Sequence, residues 1–268
     1  MNLNYETLTY TGNANQPSDF AGHNGNIIWA LDGATPLWES VFTENDVAYA
    51  LGILHNALTN LDTSTFDESF TLQDFFTAGI NKARDEITEQ YPKFFDVNEK
   101  YIVTFSIAAA RVQEDIVEYL ILGDNALEYT IKIDSAIARS AITDTRIAPF
   151  KAVNRALIAD AEKVEGKRVE ALEEEKLEIY RDARLVANQR GGYPIATFDL
   201  DSLEYSIRGS FYTSVQDYPF TVAVFTNGFT SDFSPLPNDL TVRYVEGMKR
   251  LADSGSEYEA AVAYAEVS

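Results

Sequence analysis

The sequence predicts an α+β fold in which two antiparallel β-sheets pack as a sandwich with helices outside. Strand-like segments occur in runs and helical segments follow one another, whereas a Rossmann-type fold would alternate strand and helix. The first part of the chain has strands, then two helices, then strands again. The last part has strands, a helix and a closing strand, and this order fits two packed sheets. With 268 residues, of which 46% are hydrophobic, the chain can bury a large core.

The first half of the chain supplies two predicted helices between strands. Strands dominate residues 1–33. Apolar residues at spacings of three and four then predict a helix over residues 44–61. A second helix is predicted over residues 71–91, where Thr71 and Asp74 have the spacing of a capping box. Three strands follow, the first two as a hairpin, over residues 101–112, 117–122 and 128–133.

The second half of the chain is helical first and then returns to strands. Residues 148–187 are strongly helical and heavily charged, and Gly166 is expected to separate two helices there. The glutamate run at residues 173–175 predicts a solvated helix face. The remaining elements are two strands, a helix and a closing strand, over residues 204–207, 220–226, 240–252 and 260–267.

The composition argues against several partners and chemistries. A net charge of −21 would repel the phosphates of nucleic acid and an anionic membrane surface. The absence of cysteine excludes disulfides, a thiolate zinc site and a catalytic thiol. Only two histidines are present, His23 in a polar loop and His55 in a helical pattern, which argues against a serine triad and a histidine-rich zinc site.

Nothing in the sequence resembles a targeting or membrane-spanning segment. Residues 1–6 lack both the basic region and the apolar run of a signal peptide. No window approaches the roughly 18 uninterrupted apolar residues of a transmembrane helix. We therefore expect a cytoplasmic protein that does not bind a membrane.

Three apolar strands end in an acidic or amide residue beside glycine, and these ends are the candidate functional site. They are Asp32-Gly33, Gly123-Asp124 and Asn227-Gly228. If they converge at one edge of the sandwich, their oxygens would suit a hard cation, because clustered carboxylates repel one another without one. Asp-Gly is also a common turn dipeptide, and 42 acidic residues place some acids at loop ends by chance.

The order of these motifs resembles that of the metal-dependent protein phosphatases of type 2C. The resemblance begins at Asp19 in an Asn-rich segment and continues through the three strand ends to the acidic, alanine-rich residues 257–262. Residues 188–193 also resemble a stretch of the bacterial members. The resemblance covers nearly the whole chain, so residues 1–268 are expected to form a single phosphatase-like domain.

The resemblance implies a β-sandwich flanked by helix pairs, with two Mg²⁺ or Mn²⁺ ions in a cleft at one edge. In that family a water held by the metals attacks phosphoserine or phosphothreonine, and no protein nucleophile is needed. The implied partner is a phosphorylated protein or peptide. Ligands that are all oxygen agree with a chain free of cysteine and poor in histidine.

Three positions match the family's metal site well enough to be assigned. Asp32 resembles the metal-bridging aspartate, and Gly33 resembles the glycine whose carbonyl binds one ion. Asp19 resembles the second member of a Glu-Asp pair, in which Ser18 stands where the glutamate would be. The resemblance thus implies that Asp19 and Asp32 are the catalytic carboxylates and metal ligands. Gly123-Asp124 matches a family turn, and we interpret its role as structural.

Other positions depart from the family's pattern. Asn227 replaces an aspartate ligand, and Asp232 lies near enough in the sequence to compensate. Tyr258 stands at an aspartate position of the last strand, where a shift of one residue would place Glu259 as the ligand. Ala34 replaces the histidine proposed as general acid, and no arginine occupies the usual phosphate-binding place near the start of the chain.

These departures leave a rival interpretation, a pseudophosphatase that keeps the fold and binds a protein without hydrolysing it. A third interpretation compares Leu31-Asp32-Gly33-Ala34-Thr35 with the nucleophile motif of haloacid dehalogenase-like phosphatases, but Ala30 occupies the nucleophile position. A plain acidic α+β domain without a site is the fourth.

Overall fold

The computed structural model describes most of the chain, and within the described residues ten strands form two five-stranded antiparallel sheets. The described ranges are residues 3–12, 16–67, 69–96, 103–133, 136–164, 168–213, 220–230, 240–254 and 259–267. The strands are β1 Leu3–Tyr10, β2 Asp19–Asn24, β3 Ile27–Gly33, β4 Phe105–Gln113, β5 Ile116–Leu122, β6 Ala126–Ile133, β7 Ala136–Thr143, β8 Ile207–Tyr212, β9 Phe220–Phe225 and β10 Ala260–Val267.

The helices lie outside the sheets, as the sequence predicts. They are α1 Asp46–Thr59, α2 Leu72–Gln90, α3 Ala148–Glu162, α4 Val169–Leu185, the one-turn α5 Asn227–Thr230 and α6 Leu240–Ser254, with short 3₁₀ helices at Thr63–Thr65 and Leu200–Tyr205. Among the described helices, none is long and apolar enough to cross a membrane.

The first sheet has the strand order β2-β3-β4-β5-β8 and lies between α1 and α2 on one side and the second sheet on the other. Strand β3 explains this placement, because successive side chains of a strand point to opposite faces. Trp29 and Leu31 pack in the core formed with α1 and α2, whereas Ile28 and Ala30 pack in the core between the sheets. Both faces of β3 are therefore buried, and its apolar run is almost unbroken.

The second sheet has the order β1-β10-β9-β6-β7, and α6 covers its outer face. Tyr244, Met248 and Leu251 of α6 pack against Val262 and Tyr264 of β10. The layers are thus α-β-β-α, which confirms the predicted fold class.

Helices α3 and α4 pack on each other beside these layers. Arg181 of α4 donates a 2.7 Å hydrogen bond to the carbonyl oxygen of Leu37, and Arg184 donates to the hydroxyl of Thr104. These bonds hold α4 against the segment that follows β3 and the segment that precedes β4. Gly166, predicted to separate the two helices, lies outside the described residues.

Several predicted elements match closely. Helices α1 and α2, strand β9 and helix α6 differ from the predicted bounds by one or two residues at an end, and β10 has the predicted bounds. Thr71 and Asp74 form the full capping box at the start of α2.

The structure corrects other predicted elements. The strand predicted over residues 204–207 is wrong: the Asp199 side chain accepts from the Asp201 N–H and starts a 3₁₀ turn, so that the strand begins only at Ile207. Strand β4 begins at Phe105 rather than 101; residues 101 and 102 lie outside the described part. Strand β7 was not predicted, because it is an edge strand whose residues 138–140 are exposed, which weakens its apolar pattern.

Candidate metal centre

Asp19 and Asp32 lie opposite each other at one end of the first sheet. Asp19 begins β2, Asp32 is next to last in β3, and the antiparallel register pairs the two residues. Asp32 continues the alternation of Ile28 and Ala30, whose side chains face the second sheet. The two carboxyl groups lie close enough to affect each other's ionisation, and Asp19 is only 4% exposed. The pair therefore sits at the edge of the sandwich, between the sheets.

The other two strand ends meet this pair, so the convergence that the sequence left as a hypothesis is present in the structure. Asp124 follows β5, and its Oδ2 accepts a 2.9 Å hydrogen bond from the side-chain amide of Asn227, which follows β9. The backbone N–H of Asn227 in turn donates to the Asp32 carboxylate. Residues nearly 200 positions apart in the sequence thus contact one another through hydrogen bonds at a single edge.

Two glycines allow the strand ends to approach so closely. A Cβ atom on Gly33 would lie 2.6 Å from the Cβ of Ser18. The N–H of Gly33 donates a 3.0 Å hydrogen bond to the carbonyl oxygen of Ser18. A Cβ on Gly228 would lie 1.8 Å from the carbonyl oxygen of Glu259. Real Cβ atoms do not come so near to other atoms. The glycine after Asp32 and the glycine after Asn227 are therefore required by packing, whatever else they do.

The surroundings of Asp19 and Asp32 strongly disfavour the ionisation of their carboxyl groups. Burial, together with the nearby charge of Glu259, raises the pKa of Asp19 to about 7, although a hydrogen bond from the Thr226 hydroxyl opposes the rise. Burial and the charges of Asp19 and Asp124 raise the pKa of Asp32 well above its ordinary value. A carboxylate pair of this kind is stabilised by a proton or by a cation.

One oxygen of Asp32 has no partner. The residue as a whole is half-buried, but its Oδ2 atom is inaccessible to solvent and accepts no hydrogen bond from the described residues. An orphaned buried carboxylate oxygen is costly, and a bound cation would remove that cost. The donor chemistry at Asp32 fits a hard divalent ion such as Mg²⁺ or Mn²⁺.

Glu259 is brought to the site but is already engaged. Its Oε2 accepts hydrogen bonds from the Ser18 N–H at 2.6 Å, the Ser18 hydroxyl at 3.0 Å and the Asp19 N–H at 2.9 Å. The carboxylate thus fastens the start of β2 to β10. Ser18 supplies two of the three donors.

A basic residue that the sequence reasoning missed completes the cluster. The ammonium of Lys151, in the first turn of α3, forms an ion pair with Oδ2 of Asp124. The Ser106 hydroxyl donates to the other oxygen of Asp124 at 3.1 Å. Asp124 was interpreted as structural, yet its glycine-flanked position at a strand end was the signal that also marked Asp32. No sequence signal pointed to Lys151.

The remaining candidates contribute less to the site. Asp232 lies outside the described residues. His23 stacks on Tyr5 at 5.0 Å between ring centres, and His55 packs against Phe20 and Trp29, so both histidines contact other aromatic rings. Within the described ranges, no group of three or more His, Cys, Asp or Glu side chains is arranged to hold a metal ion.

Comparison with known proteins places the fold. No protein-family model and no curated protein matches the sequence. Solved structures match over nearly the whole length of both chains. The serine/threonine phosphatase PstP/Ppp of Mycobacterium tuberculosis has 14% identity and a TM-score of 0.57, with 99% of this chain and 98% of that chain covered.

Two further structures match in the same way. The serine/threonine phosphatase Stp1 of Staphylococcus aureus has 12% identity and a TM-score of 0.57, covering 100% of this chain and 96% of its own. The PstP catalytic domain in complex with two manganese ions has 13% identity and a TM-score of 0.52, covering 99% of each chain. The resemblance seen in the sequence is confirmed for the fold: the chain has the fold of the bacterial type 2C serine/threonine phosphatases.

Proposed function

We propose that this chain is a metal-dependent phosphoprotein phosphatase with a reduced metal site, acting on phosphoserine or phosphothreonine in a protein or peptide. One observation carries the proposal: two buried carboxyl groups, Asp19 and Asp32, face each other at the edge of a type 2C sandwich, and Asp32 Oδ2 has no partner. The match to serine/threonine phosphatases, one of them in complex with manganese, supports the reaction class and the type of ion.

Each residue of the site would have its own role in holding the ion or orienting its ligands. Asp19 and Asp32 would hold the divalent ion, with the carbonyl oxygen of Gly33 as a third ligand. A bound Mg²⁺ or Mn²⁺ supplies Lewis acidity and lowers the pKa of its water. Asn227 orients the site, since it donates from its backbone to Asp32 and from its side chain to Asp124. Since Ala34 replaces a histidine, water would protonate the leaving alkoxide.

A second candidate function is a pseudophosphatase that binds a phosphorylated protein without hydrolysing it. Three features favour it, because each occupies a carboxylate oxygen or a residue position that would otherwise bind a metal ion. Lys151 pairs with Asp124, Glu259 is engaged by β2, and an amide stands at residue 227. The two candidates share the fold and differ in turnover.

Hydrolysis of a phosphothreonine peptide in the presence of Mn²⁺ tests the proposal. We expect turnover by the wild type and loss of at least about a hundredfold in Asp32→Asn, because the substitution removes the charge that holds the ion. Asp253→Asn, an exposed acidic residue of α6, is the matched control and should retain wild-type turnover. Binding of the phosphopeptide by a wild type that never hydrolyses it would favour the pseudophosphatase.

A further inference from the structure

Lys151 gives the acidic cluster a positive charge of its own. Its ammonium forms an ion pair with Oδ2 of Asp124. We propose that Lys151 is a built-in cation of this site, occupying the position at Asp124 that a divalent ion would otherwise take. The inference deepens the proposed function and rests on it only for the ion placed at Asp19 and Asp32.

The hydrogen bonds of the two strand-end aspartates support this assignment. Both oxygens of Asp124 are engaged, Oδ1 by the Ser106 hydroxyl and Oδ2 by Lys151 and the side-chain amide of Asn227. Oδ2 of Asp32 has no partner among the described residues. Oδ2 of Asp32 therefore has a site left for a cation, whereas at Asp124 a divalent ion would first have to displace an ammonium group. The cluster thus has one carboxylate oxygen without a partner and one carboxylate that is already neutralised.

The electrostatics of Asp124 agree with the geometry. Burial alone would raise the pKa of its carboxyl group, yet the pKa is lowered, chiefly by the charge and hydrogen bond of Lys151. The ion pair is only partly shielded, since the Lys151 side chain is 46% exposed and that of Asp124 18%. An ammonium in this position can leave for solvent without disturbing the core. It can therefore be exchanged for another cation.

The lysine also links the cluster to the α3 and α4 helix pair. Lys151 lies in the first turn of α3, and α4 is fastened to the first sheet's end by Arg181 and Arg184. The packing of α3 on α4 therefore holds the ammonium at the cluster.

The stoichiometry of Mn²⁺ binding, measured by titration calorimetry, tests the inference. We expect Lys151→Met to bind one more Mn²⁺ per chain than the wild type, because the substitution keeps the side chain's length and removes its charge. The double variant Lys151→Met with Asp124→Asn should lose that extra ion. Lys163→Met, which removes an exposed lysine at the other end of α3, is the matched control and should bind as the wild type does.

The outcomes separate this inference from the proposed function. An extra ion in Lys151→Met supports the inference even if the wild type binds none. Absence of binding to the wild type would contradict only the proposed ion at Asp19 and Asp32. Equal stoichiometry in the wild type and Lys151→Met overturns the inference and leaves the proposed function untouched. If Lys151→Met does not fold, Lys151→Gln keeps a donor to Asp124 without the charge. Its Mn²⁺ stoichiometry must then exceed that of the wild type, and an unchanged value overturns the inference.

Discussion

The carboxyl groups of Asp19 and Asp32 make the stability of the metal-free protein depend on pH in an unusual direction. The pKa of Asp19 rises from an ordinary value of 3.8 to about 7 on folding, and that of Asp32 also rises. Between these values the folded protein binds more protons than the unfolded chain. The stabilisation is fully present below pH 4 and is lost as the pH rises through about 7.

We therefore expect the melting temperature in EDTA to fall as the pH rises from 5 to 8. The fall should be roughly 2–4 °C for each kcal/mol of stability that this pair loses. Asp32→Asn should flatten this part of the pH profile, because the amide cannot ionise. Thermal unfolding of both proteins at the two pH values measures the difference. Because burial and Glu259 raise the pKa of Asp19 in both proteins, a wild-type profile that matches that of Asp32→Asn would show that Asp32 does not carry a shifted proton.

Asn227 is the residue at which a single change should strengthen metal binding. Its amide donates to Asp124 Oδ2, and a carboxylate at this position would repel that oxygen in the metal-free state. Asn227→Asp should accordingly lower the melting temperature in EDTA and raise Mn²⁺ affinity about tenfold, about 1.4 kcal/mol. Calorimetry and thermal unfolding with and without Mn²⁺ check both parts. Unchanged affinity together with unchanged stability would contradict the described position of Asn227.

At the level of elements, the close approach of β2 and β3 is the feature most sensitive to mutation. Gly33→Ala would place a Cβ 2.6 Å from Ser18 and should lower the free energy of unfolding by about 1–3 kcal/mol. Gly52→Ala, within α1, is the matched control, since its Cβ would lie 3.7 Å from Phe20 in ordinary contact. That change should stabilise the protein by up to about 1 kcal/mol. Denaturant unfolding of both variants tests the contrast, and equal effects would contradict it.

Periodicity predicted the elements whose faces are consistently buried or exposed. The spacing of Val47, Leu51, Leu54 and Leu58 predicts α1 because those four side chains are all buried. Strand β7 escaped prediction because an edge strand need not bury either face consistently. The 3₁₀ turn at residues 200–205 escaped prediction because it depends on a local hydrogen bond from the Asp201 N–H to the Asp199 side chain, which an apolar pattern does not reveal.

The site was predictable where it was built from strand ends and unpredictable where it depended on a helix. Asp32, Asp124 and Asn227 share the glycine-flanked end of an apolar strand, and the structure brings all three together. Lys151 lies 27 positions after Asp124, and its place depends on how α3 packs. The three donors that engage Glu259 likewise depend on the pairing of the first and last parts of the chain.

For the molecule as a whole, the fold persists where sequence identity does not. Solved phosphatase structures with 12–14% identity match nearly the full length of the chain. Such a match requires only that buried and exposed positions keep their order, together with the glycines at which strands approach closely. The residues of the site can differ while the fold is kept.

The most direct test of the account is titration calorimetry of Mn²⁺ into the metal-free protein at pH 8, which is above the raised pKa of about 7 of Asp19. The account predicts one ion per wild-type chain, no binding to Asp32→Asn, and wild-type binding to Asp253→Asn. Absence of binding to the wild type, or binding that survives in Asp32→Asn, would contradict the claim that Asp19 and Asp32 form a cation site.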